Sequence, residues 1–382
     1  MKKDIKFESL LIHGGVDGDA RTGAVNVPIY QTSTFKKGKF DADNAYEYSR
    51  SGNPTREALE KLITDLEKGY AGFAFASGMA ATTATLSLFK TGDRILISNN
   101  IYGGTFRVID KYFNNFGIHY TAFDSSDLTQ LENKIDDSVK AIFIETPTNP
   151  LMGITDIVAV SKIAKKNNLL LIVDNTFMTP YLQRPITLGA DIVVHSATKY
   201  LSGHSDLIAG LVVVNNKELA ERIGFIQNST GGVLSPFDSF LLIRGIKTLA
   251  LRMDRHNSNA KIVSEFLRDR KEVEKVYYPG FVDHPGHKIQ EKQANGYGGI
   301  ISFVLKKDYD YKKFLESLEL ITFGESLGGV ESLICHPATM THAAIPYEIR
   351  QEIGITDHLV RLSVGVENIS DIIEDLKTAI EL

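Results

Sequence analysis

Short apolar runs recur along the middle of this chain, and the segments between them carry apolar positions at a helical period. The runs are GFAFAS, RILIS, AIFIE, LLLIVD, DIVVH and LIAGLVVV, separated by stretches such as MAATTATLSLF and DIVAVSKIAKKNN. Near-continuous apolar strands alternating with helices predict βαβ units around a mostly parallel sheet buried on both faces. Ahead of them, Asn53-Pro54 offers an N-cap followed by proline at the first helical position, and Ala58, Leu59, Leu62, Ile63 and Leu66 keep helical spacing up to Gly69. That segment is predicted as a helix. Residues 1–53 hold the Gly and Pro punctuation of HGGV and VPIYQTSTF without a sustained period, and read as an irregular arm contacting a neighbouring subunit. From 236 to 270 the pattern is helical for about nine turns, with Gly245 as a candidate break. GIISFVL, YKKFLESLEL and HLVRLSVGV then suit a smaller α+β unit. The expected organisation is an arm at 1–53, a large α/β domain at 54–245 and a C-terminal domain at 246–382.

Composition narrows the partners. With 382 residues the chain is long enough for two cores, and 43% hydrophobic with 23% charged residues is ordinary globular usage. A net charge of −5 with interspersed signs leaves no basic face for nucleic acid and no polybasic segment for anionic lipid. The opening MKKDIKFESLLIHGG lacks the apolar run of a signal peptide, and no stretch approaches the roughly 18 apolar residues of a membrane span. A cytoplasmic protein acting on small molecules is expected. One cysteine, Cys335, excludes an internal disulfide framework, and beside His336 it reads as core rather than as a metal ligand. No metal is expected. GxGxxG, GxxxxGK[ST] and HExxH are all absent, so neither dinucleotide, nucleotide phosphate nor zinc chemistry of those kinds is indicated.

Lys199 stands where an apolar strand runs straight into Ser-Ala-Thr-Lys. In open α/β sheets ligands gather outside the carboxyl ends of the strands, and a lysine desolvated there is the amine nucleophile that a Schiff base requires. Asp174 ends LLLIVD, 25 residues earlier and one βαβ step away. It reads either as the carboxylate that keeps a pyridine nitrogen protonated or as a cap on the loop after its strand. In GFAFASGMAATTATL a strand turns at Ser77-Gly78-Met79 into a helix, a geometry that suits a phosphate at a helix N-terminus and also occurs for conformational reasons alone. An amine, a pyridine carboxylate and a phosphate cradle at one sheet edge together specify pyridoxal phosphate.

The chain also resembles the Cys/Met-metabolism group of pyridoxal-phosphate enzymes, over nearly its whole length. The markers are YEYSRSGNPT, FASGMAA, YGGT, ETPTNP, VDNTFMTPY, SATKYLSGHSD, FGESLGGVESL, MTHA near 340 and RLSVGVE. The resemblance implies the aspartate-aminotransferase-like fold (fold type I), with the large mostly parallel-sheet domain binding the cofactor and a smaller C-terminal α+β domain. It implies that Lys199 forms the Schiff base and Asp174 partners the ring nitrogen, with Ser77, Gly78, Met79, Ser196 and Thr198 on the phosphate. Tyr48 and Arg50 resemble a pair that reaches the phosphate of the adjacent subunit, in a homotetramer built as a dimer of dimers with shared sites. Tyr102 resembles a tyrosine that stacks on the ring and exchanges protons with substrate. Arg361 resembles the clamp on the substrate carboxylate, a task that suits a guanidinium fork, and Asn149 and Ser326 border the same region. Glu47 and Glu325 match a pair of glutamates in cystathionine γ-lyases that can hold the distal ammonium of the substrate, whereas methionine γ-lyases carry a cysteine where this chain has Gly104. The implied activity is γ-elimination of cystathionine to cysteine, 2-oxobutyrate and ammonia, with release of hydrogen sulfide from cysteine or homocysteine as a side activity. γ-Replacement on an O-acyl homoserine stays open as the alternative, followed by methionine γ-lyase and cystathionine β-lyase activity. A non-catalytic binding module is disfavoured by the full set of Lys199, Asp174, Tyr102 and Arg361.

Overall fold

The computed structural model describes residues 5–15, 18–19, 21–41, 43–343 and 347–382. The region expected to be irregular contains a helix, α1 (Phe7–His13). Seven residues are too few to display a period. Its Leu11 is buried, and Phe7 and Leu10 lie against the core that holds Leu59 and Leu62. From Arg21 to Arg50 the described residues are mostly exposed.

Helix α2 (Pro54–Glu67) follows as expected. The Asn53 side chain accepts from the N–H groups of Thr55 and Arg56, Pro54 opens the helix, and Lys68 closes it in the left-handed region at φ 58°. The face made by Ala58, Leu59, Leu62, Ile63 and Leu66 is buried. Its partner is one side of a seven-stranded sheet.

That sheet comprises β1 (Ala71–Phe75), β2 (Arg94–Ser98), β3 (His119–Phe123), β4 (Val139–Glu145), β5 (Leu170–Asp174), β6 (Ile192–Ser196) and β7 (Gly210–Val214), in the order β1-β7-β6-β5-β4-β2-β3. Neighbours from β6 to β3 run parallel, whereas β7 is antiparallel to both β6 and β1. The sheet is thus mostly parallel and buried on both faces. In β4, Ala141 and Phe143 enter one apolar cluster while Ile142 and Ile144 enter another, as the period of two requires.

Beyond the sheet, the helical stretch is interrupted at Lys247-Thr248 and not at Gly245, giving helices Pro236–Ile246 and Leu249–Arg268. Arg252 in the second helix donates from Nη2 to the Gly245 carbonyl at 2.7 Å, alongside the Thr248 N–H and hydroxyl that reach the same acceptor. The chain then forms a second sheet from β8 (Val273–Tyr277), β9 (Ile300–Leu305), β10 (Thr322–Phe323), β11 (Leu333–Cys335) and β12 (Leu359–Ser363), ordered β10-β11-β12-β9-β8. Only β10 and β11 are parallel. Val360 and Leu362 face the apolar cluster shared with Val263, Leu267, Ile372 and Leu376. Arg361, between them, faces the other way, toward the carboxyl ends of the first sheet. Among the described residues no helix is long and apolar enough to cross a membrane.

Phe143 has no exposed surface and sits in the middle of the parallel strands. Phe143→Ala is expected to destabilise the holoenzyme by about 3–5 kcal/mol, through lost transfer energy and an unfilled cavity. Urea unfolding checks this: a loss below about 1 kcal/mol would mean that the site collapses freely around the change.

Candidate active site

The carboxyl ends of β4, β5 and β6 deliver Glu145, Asp174 and Ser196 to one edge, and Glu145 lies opposite Asp174 in the parallel register. A cavity of about 270 Å³ opens there. Lys199, in the turn after β6, lines it together with Tyr102, Asn149, Glu325, Ser326 and Arg361. Ser77, Gly78, Met79 and Thr198 complete the wall on the side of helix α3 (Gly78–Leu86). A larger cleft of about 740 Å³, between β8 and the loops after β2, β3 and β4, contains none of the expected site residues apart from bordering Asn149's loop.

Lys199 Nζ donates to Ser326 Oγ at 2.9 Å. Burial, reinforced by the Arg361 charge and opposed by Glu325, lowers the ammonium to about 8. Ser326 holds a positive φ of 103°, strained for a residue with a side chain. Its carbonyl accepts from Arg361 Nη2 at 2.8 Å, while Arg361 Nη1 donates to Asn149 Oδ1 at 3.0 Å. Arg361 Nε is buried without a partner among the described residues.

Asp174 Oδ1 accepts from the Thr176 N–H at 3.0 Å and its hydroxyl at 2.6 Å. The Thr176 oxygen in turn accepts from the Ser196 N–H at 2.9 Å. Asp174 Oδ2 has no hydrogen-bond partner among the described residues. Burial raises the Asp174 carboxyl, opposed by Thr176 and His195. On the phosphate side, Ser77 Oγ caps α3 by accepting from the Ala80 N–H at 3.0 Å, and the N–H groups of Gly78 and Met79 find no acceptor among the described residues. Gly78 is required there, because a Cβ would lie 2.9 Å from Ser196 Oγ. The Ser196 hydroxyl has no partner among the described residues, whereas Thr198 Oγ1 accepts from the Ala209 N–H at 3.0 Å and donates to its carbonyl at 3.2 Å.

These groups fit pyridoxal phosphate. A depressed lysine amine suits the aldehyde, a carboxylate with one unpaired oxygen suits the ring nitrogen, and two free N–H groups with a free hydroxyl suit the phosphate. The cofactor would thus be held by Lys199, Asp174, Gly78, Met79 and Ser196.

The single chain does not bring Glu47, Tyr48 or Arg50 to the cavity. Glu47 pairs with Lys37 at 3.5 Å on the surface. Arg50 Nη1 donates to the Asn228 carbonyl at 2.7 Å and its Oδ1 at 2.8 Å, with its guanidinium 5.5 Å from the Tyr48 ring centre. Cys335 is buried on β11, and both ring nitrogens of His336 are engaged, with Thr339 and the Asp357 carbonyl. Among the cavity residues that sequence reasoning missed are Thr176 and Glu145. Glu145 was signalled in the same way as Asp174, by an acid closing an apolar run.

Residues 8–381 match the family described as Cys/Met metabolism PLP-dependent enzyme. The chain is 58% identical over 375 residues to a protein of Lactococcus lactis subsp. cremoris named cystathionine beta-lyase, covering 98% of this chain and 99% of that protein. It is 55% identical over 377 residues to a Bacillus subtilis protein named cystathionine gamma-lyase, covering 99% and 100%. The crystal structure of cystathionine gamma-lyase from Lactobacillus plantarum complexed with L-serine superposes with a TM-score of 0.97 at 53% identity, covering 99% of this chain and 100% of that one.

An amine reacts with the cofactor aldehyde only when neutral. At pH 7 about a tenth of an amine titrating near 8 is neutral, against about three in ten thousand at the ordinary 10.5. Uptake of pyridoxal phosphate by the apoprotein, followed by visible absorbance, is therefore expected to quicken about tenfold per pH unit below 8 and to level off above it. A rate still climbing tenfold per unit at pH 9–10 would show an ordinary lysine. The shift also makes the apoprotein gain stability from about pH 8 toward 10.5, where the unfolded chain binds the proton and the folded one does not.

Proposed function

This chain belongs to the Cys/Met metabolism family of pyridoxal-phosphate-dependent enzymes and is a carbon–sulfur lyase, and we propose that its reaction is the γ-elimination of cystathionine. The observation that carries this reading is Glu325. It lines the cavity with Arg361 and Lys199, and its carboxylate has no cationic partner among the described residues. An acid without a cationic partner, in a cavity that also presents a guanidinium, suits a substrate that carries a carboxylate and a second, distal ammonium.

In the proposed roles, Arg361 grips the α-carboxylate through the donors that Asn149 and Ser326 leave free. Bound pyridoxal phosphate supplies the sink for the electron pair left at Cα, and Asp174 keeps its ring nitrogen protonated. Lys199, with its amine free, would remove the Cα proton, a task for which a group titrating near 8 is suited at neutral pH. Tyr102 delivers a proton to the departing sulfur. Cystathionine and water give cysteine, 2-oxobutyrate and ammonia. Side chains at position 104 would meet the Tyr102 ring 2.4 Å from their Cβ, so Gly104 leaves that ring its place.

The 58% relative named a beta-lyase favours a second reading, cleavage on the other side of sulfur to homocysteine, pyruvate and ammonia. Product analysis of the purified holoenzyme on cystathionine decides: 2-oxobutyrate with cysteine supports the proposal, pyruvate with homocysteine overturns it. Addition of an O-acyl homoserine with cysteine tests γ-replacement in the same assay. Glu325→Ala is expected to cost cystathionine about 1.5–3 kcal/mol, roughly ten- to a hundredfold in kcat/KM, and to spare a substrate without the distal ammonium. Equal losses would remove Glu325 from recognition.

The exposed segment with Glu47, Tyr48 and Arg50 is proposed to complete the site of a neighbouring chain, within a homotetramer made of two dimers. Lys199→Ala and Arg50→Ala, each nearly inactive alone, would then complement when subunits exchange. With equal random mixing about half of the dimers are hybrids with one intact site, so activity should return to about a quarter of wild type. Hybrids verified by mass spectrometry and still inactive would exclude a shared site.

A further inference from the structure

Glu145 is the last residue of β4, is 5% exposed and lines the active-site cavity. Its two oxygens serve two different loops. Oε2 accepts from the Tyr102 N–H at 2.7 Å, and Oε1 accepts from the Asn149 N–H at 3.0 Å. Tyr102 sits at the N-cap of helix α4 (Gly103–Lys111), where no side chain of the helix's own caps it. Asn149 in turn holds Arg361 through its amide oxygen at 3.0 Å. We propose that Glu145 is a positioning residue that ties Tyr102 and the Asn149–Arg361 carboxylate clamp into one unit. This rests on the lyase chemistry and not on which carbon–sulfur bond is cleaved.

A purely structural role would need only two acceptors for two loop N–H groups. The acid is an expensive way to provide them, since burial and the neighbouring Asp174 charge both push its carboxyl up, against the pull of the two N–H groups and Arg361. An amide cannot substitute, because one of its two ends carries N–H donors that would meet a donor. A carboxylate alone accepts at both ends, so one rigid group fixes the spacing between the proton-delivering tyrosine and the carboxylate clamp. Displacing either by about 1 Å is enough to cost on the order of a hundredfold in rate.

The test uses the holoenzyme and whichever sulfur amino acid the wild type cleaves fastest, so that it does not depend on the γ-elimination reading. Glu145→Gln should lower kcat/KM about a hundredfold, by a raised KM from the loosened clamp and a lowered kcat from the misplaced tyrosine. Cofactor content should stay at wild-type values and the thermal midpoint should fall by no more than a few degrees, as one mismatched buried donor costs, while the visible circular dichroism of the bound cofactor weakens. In Tyr102→Phe or Asn149→Ala backgrounds the further loss should be at least about threefold smaller than in wild type, because the partner it positions is already gone. Unchanged kcat/KM, or full additivity in both backgrounds, overturns the proposal. Should the Gln variant fail to fold, Glu145→Asp keeps the charge but reaches only one loop, and must show the same pattern; a wild-type Asp variant, or unfolding of both variants, assigns Glu145 to the fold alone.

Discussion

Two carboxylates, Glu145 buried and Asp174 half-buried, set the terms for this site. Glu145 and Asp174 end adjacent parallel strands in register, and each is raised by burial, Glu145 further by Asp174. Like charges so close are tolerated only when opposite charge and hydrogen bonds reach them. The hydrogen bonds come from Thr176 and from the loops carrying Tyr102 and Asn149. For Glu145 the opposite charge comes from Arg361, on the middle strand of the second sheet, and for Asp174 it comes from His195. The two sheets are thus bound to each other by what the first sheet's edge lacks.

The same guanidinium prepares Lys199. Burial alone would lower the ammonium, and Arg361 adds to it. Ser326 connects the two, its hydroxyl on Lys199 Nζ and its carbonyl on Arg361 Nη2, and its positive φ of 103° is what lets one residue face both. Strain at one backbone position is here the geometric condition for coupling the amine to the clamp.

How much of this the sequence announces depends on how locally it is determined. Lys199 and Asp174 are readable because an apolar run ending in a functional group is a local pattern, and the parallel sheet lines such ends up. Glu145 follows the identical rule in AIFIE, but no cofactor role demands an acid there. The reversed direction of β7 leaves no trace, since a strand buried on both faces looks alike read either way. Arg361 could be placed only through resemblance: its contact with Asn149 spans 212 residues and exists only when the sheets close. Helix α1 escaped because seven residues carry too little pattern, and the break at Lys247-Thr248 because the helical period resumes directly after it.

Relatives of 58% and 55% identity bear names that differ in the bond cleaved, and the architecture explains why. Cystathionine carries an amino-acid group at each end, and its two arms differ by one methylene. In the proposed roles Arg361 reads a carboxylate and Glu325 an ammonium; both ends supply both. A single methylene in a pocket is worth only about 1–3 kcal/mol of discrimination. Recognition at the ends therefore cannot set the outcome decisively. What separates the reactions is proton management: the γ route needs a second proton removed at Cβ, whereas in the β route sulfur leaves directly after Cα is deprotonated. The distinction falls on how Lys199 and Tyr102 are placed along the chain of the bound substrate, and so on the loop positions that Glu145, Ser326 and Gly104 hold fixed.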